Sequence, residues 1–500
     1  MRTRLGRVPR PLIGLLAAVG LLGIAWALAV PPWQVPDEPS HEAYAQTLSE
    51  RFAVPGDPHR PRDSTEHRLA SRSAGATRAT GAPAAKPEWS EAAYRRWRAL
   101  DGAISRAARR DGGGPNRAQA NPPLYYAYVA LAYRAAYRGD VFDRLYAMRL
   151  LSAALLLVTT TATWLLAGEL VGRCRPLQLV AAATAGMQPM VAFITASVNP
   201  DALLIAGSTL VLWLAARTVN RGLTGANAAC LTAATALAIA TKVVSYALLP
   251  AVALALGVAA WRRRHGLGAR AVAVGVAVVG VIALAAIGAL SVSTADETVR
   301  SASLVSADGA SIPGFASYLW QFYLPRLPFQ EPVRGLAGHP FFDTWVVTAW
   351  AAFGWHEVRF PGPVYLALAA FSLGAVALAA VALRRRGIDP ALAGLCALVV
   401  LALLLALHWT EFRIIEAGEE SGFSRGLREL RRIPLDGFNG NPFMKGRYLL
   451  PLVPLAGVAV ALAASLATGR RRALAVGVLL AVIVTLQLFS LGLVVARFNA

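Results

Sequence analysis

The sequence predicts an all-α polytopic membrane protein, a single bundle of about 11 transmembrane helices (range 10–13) with further helices in large outer loops. Hydrophobic residues make up 56% of the 500 residues and charged residues only 15%, whereas soluble proteins carry about 25% charged residues. Apolar runs of the length that crosses a bilayer recur along the whole chain. The net charge is +21, but the arginines lie in short clusters between apolar runs, so we expect no nucleic-acid partner.

The first apolar run, 11–30, follows the basic segment MRTRLGRVPR. The positive-inside rule therefore predicts a cytoplasmic N-terminus. The tripeptide ALA at 27–29 resembles a signal-peptidase site. We interpret the run as an uncleaved anchor, because it is long for a signal peptide and an unusual polar motif follows it directly.

Five later arginine clusters orient the remaining spans, because short basic loops stay on the cytoplasmic side. Placing all five inside requires ten more spans, near 145–171, 177–196, 201–217, 223–241, 243–260, 271–291, 363–383, 389–408, 448–468 and 473–496. The segment 121–137 contains Arg134, and a crossing there would turn every later cluster outside. We therefore predict a juxtamembrane or re-entrant helix at 121–137 and an outer C-terminus.

This layout divides the single membrane domain, 1–500, into groups of spans and three long outer loops. Spans two to seven occupy 145–291, spans eight and nine 363–408, and the last two 448–496. The outer loops are 31–144, 292–362 and 409–447. Because the inner loops are short, we expect the soluble mass and the chemistry on the extracytoplasmic side of a bacterial cytoplasmic membrane.

Two segments of the first outer loop have distinct compositions. Residues 57–87 are rich in small and polar residues, which predicts a mobile, solvated stretch. Residues 89–109 place Trp89 and Trp97 on the apolar face of an amphipathic helix. We expect that helix to lie in the membrane interface with its indoles at headgroup depth.

The motif PPWQVPDEPSHEAY, 31–44, follows the first span and carries Asp37, Glu38 and His41. Its prolines prevent the first helix from continuing. One acid would suffice to cap the next helix, so two acids and a histidine exceed that need. A carboxylate here could take a proton from a hydroxyl nucleophile or hold a divalent cation such as Mg, Mn or Ca, which is the one cofactor that the sequence suggests.

Other polar residues lie near the predicted outer ends of spans. Asn199-Pro200-Asp201 suits a turn in which Asp201 caps the next helix, with catalysis as the alternative. Lys242 is costly against lipid, so it should face the bundle interior, an aqueous cavity or the interface.

The second and third outer loops add aromatic and basic residues. SYLWQFYLPRLPFQEP, 317–332, combines aromatic side chains with Arg326, and fits either an aromatic belt or a groove for a prenyl chain. AAFGWHEVRFPGP brings His356, Glu357 and Arg359 to the membrane edge. KGRYLLPLVP closes the third loop and places Lys445 and Arg447 at the mouth of a span, and its glycine at 446 would allow a phosphate to approach closely.

Six motifs occur in a fixed order: PPWQVPDEPSHEAYAQ, NPPLYYAYVAL, SVNPDALL, LWQFYLPRLP, FGWHEVRFP and KGRYLLPLVP. Together they resemble a bacterial membrane family known as domain of unknown function 2142, over about residues 15–460. That family is similar to the GT-C superfamily of polytopic glycosyltransferases, which use lipid-phosphate sugar donors. Those enzymes share a long first outer loop with an acidic motif, juxtamembrane helices and a second large outer loop after the seventh span.

The resemblance implies an inverting transfer from a polyprenyl-phosphate sugar, whose tail lies in the bilayer, to a hydroxyl of an envelope polysaccharide, glycolipid or protein. It implies that Asp37 is the general base, that Glu38 assists it or binds metal, and that His41 and His356 orient the acceptor or bind metal. The residues expected around the donor phosphate are Arg447, Lys242, Lys445 and Arg359, with Tyr448, Asn121 and Tyr125. Those expected in support are His356, Glu357, Asn199, Asp201 and Arg326. Related enzymes often carry a charged residue or histidine where Asn121 stands, so we do not expect Asn121 to bind metal.

Two other functions fit the same composition. One is a flippase or transporter of lipid-linked sugars, and the other is a non-catalytic scaffold for envelope assembly. Transporters often contain inverted repeats and charges at the bilayer midplane. Here we find no repeat and the polar residues gather on one predicted side, which favours surface chemistry.

Overall fold

The computed structural model describes residues 8–73, 90–262, 311–333, 341–416 and 444–499. Within these ranges the chain is almost entirely helical, and the strands described are one short antiparallel pair, Ala352–Phe353 with Val358–Arg359. The predicted all-α polytopic membrane fold is confirmed. The predicted span at 271–291 lies outside the described residues.

The N-terminal third begins with a long apolar helix and continues with helices too short to cross a bilayer. These are α1 (Arg10–Ala29), α2 (Glu38–Arg51), α3 (Thr65–Ser73), α4 (Glu91–Asp101), the 3-10 turns Arg106–Arg109 and Arg117–Ala120, and α5 (Leu124–Ala135). Helix α5 occupies the segment that we predicted to lie off the bilayer. Its 12 residues extend about 18 Å, and they pack against α2 and the helix that follows α5.

The central bundle is formed by apolar helices with short connections. They are α6 (Val141–Ala153), α7 (Leu155–Leu170), α8 (Arg175–Gly186), α9 (Pro189–Thr195), α10 (Asp201–Arg221), α11 (Gly225–Ile239), the 3-10 helix Val243–Leu248 and α12 (Leu249–Arg262). Helices α8 and α9 form a pair bent by 56°, which is either one broken span or a re-entrant loop.

The C-terminal part supplies the outer helices of the bundle and a short hairpin. Its elements are α13 (Ile312–Tyr323), the π-helical turn Asp343–Val347 with Thr348–Trp350, the two strands, α14 (Gly362–Arg385), α15 (Pro390–Glu416), the 3-10 helix Gly446–Leu452, α16 (Val453–Ser465) and α17 (Gly469–Phe498). Among the described residues, 8 helical stretches are long and apolar enough to cross a membrane, or 9 with the bent pair. Helix α11 is apolar but shorter.

Small residues allow the central helices to pack closely. Helix α16 lies against α8 at Gly457, where a β-carbon would collide with the backbone carbonyl of Ala181. Close backbone approach of this kind is the usual way in which helices associate within lipid. Helices α14 and α17 instead leave large apolar side chains exposed, Leu373 and Leu474 among them, as expected for a lipid-facing surface.

The segment predicted as the first outer loop, 31–144, is held to the bundle by buried ion pairs. Glu66 of α3 accepts hydrogen bonds from Arg144 at 2.6 Å and from Arg109 at 2.9 Å. Its neighbour His67 lies 2.9 Å from Glu42 and stacks on the indole of Trp33. The predicted mobile, solvated character of 57–87 is therefore wrong for α3, because charges that look solvated in sequence find buried partners. Residues 74–87 lie outside the described ranges.

The predicted interfacial helix is also different in the structure. Helix α4 covers part of it, and the indole of Trp97 is fully buried against Phe142 instead of reaching the headgroups. The apolar face of α4, from which we predicted a helix on the membrane surface, packs against the core of the protein instead. Trp89 lies outside the described residues.

Candidate functional site

The turn between α1 and α2 is fixed by a fully buried ion pair. Arg149 of α6 donates to both carboxylate oxygens of Glu38, at 2.8 and 2.5 Å, and the backbone amides of Trp33 and Val198 donate to the same two oxygens. Arg149 also donates to the carbonyl oxygens at the end of α1. Because protein donors occupy both its oxygens, Glu38 positions the turn, and this geometry does not support the predicted roles as assistant base or metal ligand.

The same turn places Asp37 beside Arg447, a residue near the C-terminal end of the chain. Arg447 Nη2 donates to Asp37 Oδ2 at 2.6 Å. The Asp37 side chain is 41% exposed, whereas that of Arg447 is 8% exposed. Asp37 adopts a left-handed conformation with φ of 66°, which is strained for a residue with a side chain and is typical of functional sites.

The pKa of Asp37 reflects two opposing effects. Burial raises the pKa, but the charge and hydrogen bond of Arg447 and the proximity of His41 outweigh that effect and lower the pKa to about 2. The carboxylate is therefore ionised at every physiological pH.

Arg447 is placed by the tight packing of its neighbour. The backbone amide of Gly446 donates to Thr348 Oγ1 at 2.6 Å, and a β-carbon at Gly446 would collide with the carbonyl of Thr344. The space beside Gly446 is thus filled by backbone. Our expectation that this glycine leaves room for a phosphate is wrong.

A second ion pair lies beside the first. Lys242 Nζ donates to Asp201 Oδ1 at 2.6 Å. The ring of Tyr448 lies 5.3 Å from Lys242 Nζ and 5.3 Å from Arg447 Cζ, so one aromatic face contacts both cations. Lys242 faces the bundle interior, which is one of the locations that the sequence left open.

Asp201 does not cap α10, contrary to our preferred interpretation. The side chain of Asn199 accepts from the Asp201 amide at 3.0 Å, while the Asn199 amide donates to the Tyr125 hydroxyl at 2.7 Å. Asn199 therefore stabilises the helix start. Asp201 is left to pair with Lys242, and its Oδ2 has no hydrogen-bond partner among the described residues.

His41 is held by a residue that the sequence analysis did not single out. Its Nδ1 lies 2.8 Å from the hydroxyl of Tyr126, which is buried and stacked on Tyr44 at 3.6 Å. Burial lowers the pKa of His41 to about 4, although Asp37 opposes that change. The imidazole is therefore neutral at pH 7. The position of Tyr126 at the end of NPPLYY, one of the motifs that we singled out, was the sequence feature that could have indicated this contact.

The hairpin contributes His356, Glu357 and Arg359. Arg359 Nε donates to the carbonyl of His356 at 2.9 Å, and the hairpin is tied to the first loop by a bond from the Trp355 indole to the carbonyl of Trp33. Burial and the charges of Lys445, Arg447 and Arg359 lower the pKa of His356 well below its usual value. The pKa of Glu357 is raised, chiefly by burial.

Lys445 completes the cluster of cations. Burial, followed by the charge of Arg447, lowers its pKa to about 7, and Glu411 opposes this effect. Lys445 therefore titrates near neutral pH, and small changes in its surroundings decide its charge.

These contacts bring six of the predicted residues into one centre at one end of the bundle: Asp37, His41, Asp201, Lys242, Arg447 and Tyr448. The sequence of residues 21–456 matches the model of a family described as "Predicted membrane protein (DUF2142)". The chain belongs to the DUF2142 family. This confirms the family that the motifs predicted.

Comparison with other proteins adds structural likenesses of low sequence identity to this DUF2142 protein. The crystal structure of ArnT from Cupriavidus metallidurans bound to undecaprenyl phosphate is 15% identical, with a TM-score of 0.44, and the match covers 93% of this chain and 62% of that one. The arabinosyltransferase EmbB from Mycobacterium smegmatis is 13% identical, with a TM-score of 0.44, covering 99% of this chain and 42% of that one. The DUF2142 chain thus spans less than two thirds of either protein. No curated protein matches its sequence.

Three predicted residues of the DUF2142 chain have other contacts. Arg326 donates to the carbonyl of Gln330 in an exposed turn. Asn121 donates to the carbonyl of Ala118 and accepts from Tyr44, so it closes a 3-10 turn. Tyr125 lies behind the site, where its hydroxyl contacts Ser152 at 3.0 Å and accepts from Asn199.

The residues present do not fit a divalent metal. Among the described residues, no group of three or more His, Cys, Asp or Glu side chains is arranged to hold an ion. In the predicted set, Glu38 points to Arg149 and Asp37 to Arg447. Carboxylates committed to arginine offer few of the oxygen ligands that Mg²⁺ or Ca²⁺ requires.

Proposed function

We propose that this DUF2142 protein is an inverting glycosyltransferase that moves a sugar from a polyprenyl-phosphate donor to a hydroxyl of a cell-envelope acceptor. The observation that carries the proposal is the pairing of a partly exposed carboxylate, Asp37, with a buried arginine, Arg447, that retains unused donors. Such a pair offers a proton acceptor directly beside an anion site.

The donor phosphate is assigned to Arg447. Its Nε and Nη1 are buried and have no hydrogen-bond partner among the described residues, while Nη2 contacts Asp37. Unpartnered buried donors are costly and rare, and phosphate oxygens are the acceptors that guanidinium groups favour. Lys242 and Lys445 lie close enough to add positive charge.

Asp37 is assigned as the base. The acceptor oxygen attacks the anomeric carbon, the bond from that carbon to the phosphate oxygen breaks, and the hydroxyl proton moves to Asp37. The pKa of about 2 belongs to the ligand-free pair. When the phosphate shares the guanidinium, Asp37 loses part of this stabilisation and its pKa rises toward that of a useful base.

The charges remain balanced through this step. The leaving phosphate gains one negative charge as Asp37 loses one on protonation, so the net charge of the centre is constant. Preorganised cations next to the phosphate stabilise the charge that develops there. The neutral imidazoles of His41 and His356 are suited to orient the acceptor by hydrogen bonds without disturbing this balance.

We assign the site to the extracytoplasmic face. The centre gathers the end of α1 and the starts of α10, α14 and the 3-10 helix Gly446–Leu452. The opposite ends of these spans carry basic residues, including Arg221 in the last turn of α10 and Arg385 in the last turn of α14. Positive clusters mark the cytoplasmic side, which supports a site on the other side.

Transfer in membranes tests the proposal. Membranes containing the protein are incubated with radiolabelled polyprenyl-phosphate sugars, and the label in envelope acceptors is counted. We expect Asp37→Asn to abolish transfer at an unchanged protein level, and Arg326→Gln, at an exposed arginine away from the centre, to leave transfer intact. Translocation of the sugar lipid without transfer would indicate a flippase instead, and equal transfer by Asp37→Asn would exclude the assigned base.

A further inference from the structure

The outer end of α15 carries two buried ionisable residues that the proposed reaction does not use. His408 is 2% and Glu411 3% exposed, on a helix that is otherwise strongly apolar. Ionisable residues within membrane spans are expensive and usually functional. They lie one helical turn apart, so they share one face of α15.

His408 is fully satisfied by its neighbours. The indole N–H of Trp345 donates to the Tyr323 hydroxyl at 3.0 Å. The Tyr323 proton is then free to donate to His408 Nε2, 2.8 Å away, and His408 Nδ1–H to donate to the Tyr318 hydroxyl at 3.1 Å. These bonds fix the ring and make the cluster around it rigid.

Glu411 differs from His408 because its oxygen Oε1 is buried without a hydrogen-bond partner among the described residues. The hydroxyl of Thr344 is likewise buried without a hydrogen-bond partner among the described residues. The carbonyl oxygen of Thr344 contacts Gly446. Each such group costs free energy unless a water or a ligand satisfies it. Both belong to segments that contact residues 444–447.

These groups adjoin the site assigned to the phosphate. Helix α15 packs against the 3-10 helix that begins at Gly446, and Phe412 and Met444 share one apolar cluster with Tyr318. The charge of Glu411 acts on Lys445, which also interacts with Arg447. Glu411 and Thr344 therefore lie in the immediate surroundings of residues 445–447, next to the site assigned to the phosphate.

We propose that Glu411 and Thr344 bind hydroxyl groups of the sugar that the donor phosphate carries. This inference rests on the proposed function and adds a specificity to it. A carboxyl group and a threonine hydroxyl can both exchange hydrogen bonds with sugar hydroxyls. A uronic acid would have to bring its own charged carboxylate out of water into these almost fully buried surroundings, which costs free energy, so the site selects a neutral sugar over an acidic one.

Lipid binding separates the sugar contact from the phosphate contact. The full-length protein in detergent is titrated with undecaprenyl phosphate and with a panel of its neutral pentose, neutral hexose and uronic-acid esters. For Glu411→Leu we expect unchanged binding of undecaprenyl phosphate and about tenfold weakening of the best-bound neutral ester, because leucine leaves the buried sugar hydroxyl without a hydrogen-bond partner. Thr344→Val should act in the same direction but less. Asp389→Asn, at the opposite end of the same helix, is the matched control and should bind every lipid as the native protein does.

Different binding results would contradict the sugar contact and the phosphate site. Equal weakening of the bare and sugar-bearing lipids by Glu411→Leu would overturn the inference, because Glu411 would then act only through Lys445. Unchanged binding of both, or a native protein that prefers the bare lipid or the uronic-acid ester, would overturn it as well. Unchanged binding of bare undecaprenyl phosphate by Arg447→Gln would instead contradict the assigned phosphate site, independently of the result for Glu411.

Discussion

Arg447 Nη2 lies 2.6 Å from Asp37 Oδ2 and joins two side chains that are 410 positions apart in the sequence. The contact joins the turn between α1 and α2 to the 3-10 helix Gly446–Leu452. Arg447 thus donates to an ionised carboxylate through Nη2, whereas its Nε and Nη1 have no hydrogen-bond partner among the described residues. This centre and the packing around it lead to five predictions.

Replacing Arg447 by lysine should weaken binding of undecaprenyl phosphate about tenfold, even though the positive charge is kept. Lysine offers one compact ammonium group, which cannot contact Asp37 and also supply the two nitrogens that now lack partners. Titration of the purified protein with the lipid measures the effect. Arg326→Lys is the matched control, because Arg326 is exposed and donates to the carbonyl of Gln330 in its own turn. Native-like binding by Arg447→Lys would show that charge alone suffices.

The midpoint of thermal unfolding should fall as the pH is lowered from 7 to 5. Burial lowers the pKa of His41 from 6.5 to about 4. In this range the unfolded chain binds more protons at His41 than the folded protein does, so the free energy of unfolding falls as the pH is lowered. His41→Gln should make the fall shallower.

His67 should act in the opposite direction. Burial lowers its pKa, but the carboxylate of Glu42 outweighs this effect and raises it above 6.5. The protonated His67 therefore stabilises the folded protein below pH 6.5, and this contribution is lost as the pH rises through the folded-state pKa. His67→Gln should make the fall on acidification steeper. Parallel pH profiles for the two variants would contradict both assignments.

Arg144→Met should destabilise the protein by about 3–5 kcal/mol, because it leaves the buried carboxylate of Glu66 without its closest cation. Both side chains of this pair are completely buried. The change is measured as a lower midpoint of unfolding in detergent. Arg95→Met is the control, since the pair of Arg95 with Glu91 is exposed and such pairs contribute about 0–1 kcal/mol. Similar effects of the two changes would mean that the first loop is not held by this pair.

Gly457→Ala should destabilise the bundle, whereas Gly477→Ala should be neutral or stabilising. A β-carbon at 457 meets the backbone of α8 at Ala181, while none of the described atoms lies within 4 Å of one at 477. Overpacking costs about 1–3 kcal/mol, and alanine is otherwise the better helix former. Thermal unfolding of the two variants compares them directly. An increase in stability for Gly457→Ala would show that α8 and α16 can separate without cost.

The sequence allowed the polar centre to be predicted residue by residue but not pair by pair. Asp37, Lys242 and Arg447 stood out because each is a charge at the end of an apolar run. No feature of the neighbouring sequence indicated that Glu38, beside Asp37, would form an ion pair with Arg149, which lies 111 positions away. Tyr126, Thr344 and Glu411 were missed for the same reason. A buried tyrosine, threonine or glutamate resembles an ordinary one until its neighbours are known.

By itself the sequence determined the membrane class, the family, and the stretches of chain that are apolar enough to span a bilayer. These are local properties, because span length and flanking charge act on one segment at a time. Only the tertiary structure decided which carboxylate faces which cation, and which of them keeps an exposed face toward a ligand. The pairing depends on how helices distant in sequence pack together, since a buried charge is stable only beside a partner that another helix brings to it.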